Sequence, residues 1–177
     1  MFTLGMAAGA IGTKRTQDTR EMTMYRQYTL LNEPRGAEYV ELLRTLSRYC
    51  QYALLVVRRD LPLSSYGHET LRELEQDIMM KEERQEWPGT RLLNDSATVY
   101  LMRLTANSLG VLCNRASRLY EWEQPFLPED LCLMRSVSEP MLVSISHEKD
   151  AYLLLSEDEK RTLLSALPNL RIIEEHG

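Results

Sequence analysis

The sequence predicts an α+β fold: one domain, a mainly antiparallel sheet of about five to six strands, and about four helices packed on it. Three observations lead there. Segments of helical spacing alternate with short β-rich runs over the first two thirds of the chain. The last third places strand-like segments in succession with no helix between the first three, which disfavours a doubly wound parallel sheet. A chain of 177 residues, 44% hydrophobic and 27% charged, can close one core without disulfide or metal staples.

Residues 1–18 show no sustained period and are predicted to be a disordered or weakly held tail, with the domain spanning 19–177. Thr23, Tyr25, Tyr28, Thr29 and Leu30 favour an edge strand within Glu21–Asn32. After Pro34 and Gly36, apolar residues at Tyr39, Leu43, Leu46 and Cys50 mark a first helix over about 36–49. Tyr52–Val57 reads as a buried strand, with a continued helix as the alternative for so short an apolar run. Leu71, Leu74 and Ile78 predict a second helix from about Gly67 to Gln85, stopped by Pro88 and Gly89.

Ala97–Leu104 is apolar on both alternations and suits a central strand covered on both faces. Leu109, Leu112, Cys113, Ala116, Leu119 and Tyr120 predict a third helix over about 106–120. Pro125 and Pro128 hold WEQPFLPED in an irregular extended path. Leu131–Met134, Met141–Ser146 and Ala151–Leu155 read as three strands, the last two joined by a polar hairpin loop at His147–Asp150. Ser156 with Glu159 is a capping box opening a helix that carries Leu163, Leu164 and Leu167, and Leu170–Ile173 is a final short strand.

The net charge is −5, and it is unevenly spread: residues 1–60 carry +3, 61–130 carry −5 and 131–177 carry −3. An acidic chain without a Lys/Arg stripe is a poor match to polyphosphate, so no nucleic-acid partner is expected. No apolar run is long enough to span a bilayer, and no membrane partner is expected. Lys14 and Arg15 follow the apolar stretch at the N-terminus rather than preceding it, unlike a secretory leader. Cys50, Cys113 and Cys132 are odd in number, far apart and set in apolar runs, which reads as reduced core thiols. A cytoplasmic location is the expectation from both.

Phosphate loops, dinucleotide fingerprints, zinc-protease helices and serine-nucleophile elbows are absent from the sequence, so no cofactor and no metal are expected. His147, Glu148 and Asp150 form the cluster whose residue types suit acid–base work, but a solvated hairpin tip is also simply a polar turn. Glu82, Glu83 and Glu86 lie in the most acidic stretch, whose ordinary use is a solvated helix face and whose sharper use is steering a basic partner. Trp87, Trp122 and Glu123 sit on Pro-braced irregular segments; such tryptophans anchor protein interfaces or plug an edge of the core.

The reading these features favour is a non-catalytic, acidic protein-binding module, for instance an inhibitor or immunity-type protein that neutralises a basic partner through Glu82, Glu83, Glu86, Trp87, Trp122 and Glu123. One alternative is a small hydrolase or nucleotide-processing enzyme with its site around the 147–150 loop, drawing on Arg58 or Arg59. A second is a subunit of a larger assembly, favoured if Trp87 and Trp122 lie on one exposed apolar patch.

Overall fold

Residues 24–175 are described by a computed structural model, so the tail predicted for residues 1–18 lies outside the described residues. Ten strands and four α-helices form among the described residues: β1 (Arg26–Leu30), α1 (Ala37–Leu46), β2 (Tyr52–Arg58), α2 (Ser65–Leu74), β3 (Ile78–Arg84), β4 (Glu86–Trp87), β5 (Thr90–Arg91), β6 (Ala97–Arg103), α3 (Ala106–Arg115), β7 (Glu129–Ser136), β8 (Glu139–Ile145), β9 (Asp150–Leu155), α4 (Glu157–Ala166) and β10 (Ile172–Glu174). Eight of the strands make one sheet in the order β10-β1-β9-β8-β7-β2-β6-β3, every adjacent pair antiparallel. The α+β class and the four helices agree with expectation; the sheet is larger than the five or six strands predicted.

Alternation along the central strands divides the sheet into two apolar faces. Ala53 and Leu55 of β2 and Leu131 and Leu133 of β7 join a core that also takes Leu42, Leu46, Leu74, Leu112 and Leu163 from the four helices. Leu54 and Val56, Val99 and Leu101, and Cys132 and Met134 point the other way, into a second cluster containing no helical residue. That cluster holds Trp87 and packs Leu92, both from the β4–β5 hairpin region.

The second predicted helix is corrected at its C-terminal half. Helix α2 is opened by Ser64, whose side chain accepts from the Gly67 amide, and it ends at Leu74; residues 78–84, predicted helical, are strand β3. Asp77 accepts from Thr105 Oγ1 (3.0 Å) and Asn107 Nδ2 (2.9 Å), pinning the turn after α2 to the start of α3. The following residues then pair with β6 instead of continuing the helix. Helix α3 likewise stops at Arg115 rather than Tyr120, and a single 3-10 turn covers Leu119–Glu121. The capping box at Ser156 and Glu159 forms as predicted, with Glu159 also gripping Arg135 of β7 through two oxygens at 2.5 and 2.8 Å.

Cys50 and Cys132 are buried and Cys113 half-buried, all three as free thiols. Burial pushes the Cys50 thiol up to about 12, so it behaves as a small hydrophobe. No helix among the described residues is long and apolar enough to cross a membrane.

Candidate functional site: an acid pair under a hairpin

Strand β7 begins with two acids, Glu129 and Asp130, directly before the apolar run Leu131–Met134. In a regular strand, consecutive side chains point to opposite faces. Here the register between β2 and β7 shifts, Leu54 lying opposite Cys132 but Val56 opposite Glu129. The bulge is accompanied by a left-handed backbone at Asp130 (φ 56°), a conformation that Asp tolerates better than most residues. Its consequence is that both acids, together with His147 from the turn after β8, bring a donor atom within 4.8 Å of one another.

Both acids are buried: Glu129 is 1% exposed and Asp130 fully enclosed. Asp130 is well supplied with donors. Trp87 Nε1–H donates to its Oδ2 at 2.8 Å, Thr90 Oγ1 to the same oxygen at 3.4 Å, and the Ser146 amide to Oδ1 at 3.0 Å. Burial raises its pKa, and the Trp87 and Ser146 bonds pull it back. Glu129 lacks such support; its Oε2 has no hydrogen-bond partner. Burial first, and the neighbouring Asp130 charge second, push its carboxyl up to about 7, against the opposing pull of Arg58 and His147.

Two of the three donors to Asp130 come from a hairpin, and that is how the acid positions the rest of the site. Trp87 and Thr90 flank the tight turn of β4 and β5, with Gly89 in a left-handed conformation (φ 84°) between them. A Cβ at Gly89 would lie 2.9 Å from Ile145 Cγ1 and Val143 Cγ1, so glycine is what lets the turn lie flat on β8. Beside the hairpin runs an open groove of about 1020 Å³, walled by residues 84–91 and floored by Leu54 and Met134.

The residues expected to contact a partner divide into three groups. Glu86 and Trp87 line the groove, and Glu82 and Glu83 lie on β3 immediately before it. Each of these acids has an arginine partner: Arg84 holds Glu82 at 2.9 Å, Arg59 holds Glu83 at 2.9 Å, and Arg91 approaches Glu86 at 3.8 Å. Trp87 itself is 6% exposed. Trp122 is corrected outright as a contact residue, because it is fully buried in the helix-side core, its Nε1–H donating to Tyr39 Oη at 2.8 Å. Glu123 pairs with Lys149 beside a separate pocket formed with Tyr120 and Phe126. The two tryptophans thus occupy opposite faces of the sheet and share no exposed patch, the feature that would have favoured the assembly-subunit reading.

The cluster expected at the 147–150 loop is also changed. A 3-10 turn, Ser146–Glu148, and a left-handed Lys149 (φ 56°) form the connection. His147 lies 3.7 Å from Glu148, but Asp150 instead accepts from the Ala151 amide at 2.8 Å. The partners that the fold delivers to His147 are Glu129 and Asp130, which the sequence reading passed over. The available signal was an acid pair abutting the four-residue apolar run LCLM, where burial of at least one acid was to be expected. Comparisons with protein-family models, with curated proteins and with solved structures find no match to this chain.

Proposed function

We propose that the chain is a non-catalytic protein-binding module whose contact surface is strand β3 and the hairpin that follows it, and whose partner is a basic protein presenting an extended segment. The observation that carries this reading is continuity. Strand β3 stands at the end of the eight-strand order, with no neighbour on its outer side among the described residues, and leads straight into the wall of the groove beside the hairpin. An exposed sheet edge accepts a further strand through main-chain hydrogen bonds, and a groove beside it takes side chains.

The arginine partners of Glu82, Glu83 and Glu86 are no obstacle to a basic ligand. Exposed ion pairs contribute little, so a partner's lysines and arginines can exchange with them. The charges on β3 also blunt unwanted pairing between copies of the sheet. They would select a partner by charge rather than exclude all partners.

The test is capture of binding proteins at low and high salt by the wild-type chain and by the triple variant E82K/E83K/E86K. A stoichiometric basic partner, released by salt and not retained by the variant, supports the reading. Equal retention by the variant sinks the electrostatic surface assigned here.

A further inference from the structure

Two carboxylates and an imidazole converge where β7 begins, and their surroundings are those of a ligand set rather than of three isolated polar side chains. The three donor atoms lie within 4.8 Å of one another. Glu129, 99% buried, brings one carboxylate oxygen to this cluster, and its Oε2 has no hydrogen-bond partner. Native structures rarely leave such an atom unsatisfied, and a bound ion is one of the few ways to satisfy it.

Asp130 complements it. A carboxylate offers about four lone-pair sites, of which Trp87, Thr90 and Ser146 occupy three, leaving capacity for one further bond. Those three donors also fix the carboxylate's orientation, as outer partners do for a metal-bound acid. His147 is exposed, so the cluster is closed on the sheet side and reachable from solvent through the imidazole. The Arg58 guanidinium, which pulls on Glu129, is itself held by Asp60 through two bonds at 3.1 and 2.6 Å.

We propose that Glu129, Asp130 and His147 bind a single divalent transition-metal ion of the Zn²⁺ or Mn²⁺ kind, with water completing its coordination. One imidazole with two carboxylates suits such an ion. Ca²⁺ wants about six to eight oxygens, and Mg²⁺ is reluctant to leave its waters for an imidazole. Bonds of about 2.0–2.1 Å in a tetrahedral set place ligand atoms about 3.4 Å apart, within reach of small side-chain rotations from the observed spacing. The ion supplies a partner for the buried Glu129 carboxylate. It also ties the hairpin to the sheet, since Asp130 is shared between the ion and Trp87.

The experiment is calorimetric titration of the full chain, stripped with chelator and exchanged into chelator-free buffer, with Zn²⁺ and in parallel with Mn²⁺. Trp87 emission serves as a second readout because its indole N–H donates to Asp130. One ion per chain is expected, with a change in emission that is lost in W87F. Affinity should fall at least tenfold in both E129Q and H147A and stay unchanged in H68A, which removes an exposed histidine of α2 outside the cluster, with circular dichroism confirming that each variant is folded. The assignment is overturned if neither ion saturates at one per chain, or if either E129Q or H147A keeps wild-type affinity. His147 is exposed, so H147A tests the site even where a substitution at buried Glu129 disturbs folding.

Discussion

The two tryptophans make the same donation at the same 2.8 Å and do different things with it. On the helix side, Trp122 donates to Tyr39 Oη, which donates in turn to the Leu112 carbonyl at 2.8 Å. Burial drives the Tyr39 phenol well above its usual range, so every group in that chain stays neutral. On the hairpin side, Trp87 donates to an acid that sits beside a second buried acid. A neutral hydrogen-bond chain closes a core that is indifferent to protons. The same bond made to an ionisable group couples that part of the fold to the solution around it.

The largest break in this comparison is W122A. It removes a fully buried indole and leaves Tyr39 without its donor, and should cost about 3–5 kcal/mol in a urea titration, equally at pH 6 and pH 8. The matching experiment on the other face is the pH dependence of stability in E129Q, measured in chelator. The folded carboxyl titrates near 7, against about 4.5 when unfolded, so the native state holds the proton more tightly across that window. The stability it confers is complete below about pH 4.5 and is lost as pH rises through 7, a fall of about 3 kcal/mol that E129Q should lack. If wild type and E129Q keep parallel profiles, the two faces do not differ in the way described.

Smaller substitutions sharpen the contrast. D130N replaces one acceptor oxygen by a donor facing either Trp87 or the Ser146 amide, and should cost about 1–3 kcal/mol with a shift in Trp87 emission. G89A adds a methyl against Ile145 and Val143 at a positive φ, and should cost more than about 1 kcal/mol while leaving the Trp122 environment unchanged. S156A, remote from both tryptophans, removes only the α4 cap, for about 1 kcal/mol by thermal or urea denaturation.

Much of the fold was legible because its signals are local. The Ser156–Glu159 box and the apolar strand at Ala97–Leu104 each depend on a few neighbouring residues, and each appears where read. The 78–84 segment was misread because its Lys, Glu and Arg residues suit a helix and Ile78 continues the spacing of Leu71 and Leu74. Six residues paired with β6 outweigh that preference, and Asp77, tied to Thr105 and Asn107, breaks the helix first. The site was harder still. Glu129 and Asp130 are adjacent, so a strand should part them, and His147 is 17 and 18 positions away.

By itself, then, the sequence determined the class, the helices and most of the strands, because hydrophobic period and capping chemistry act over one or two turns of chain. Only the tertiary structure decided which face each tryptophan takes, that β3 extends the sheet, and that a bulge opposite Val56 turns two neighbouring acids toward one histidine. Those outcomes depend on strand register. Register is a relation between distant segments, and a shift of one residue exchanges the faces of every side chain it carries.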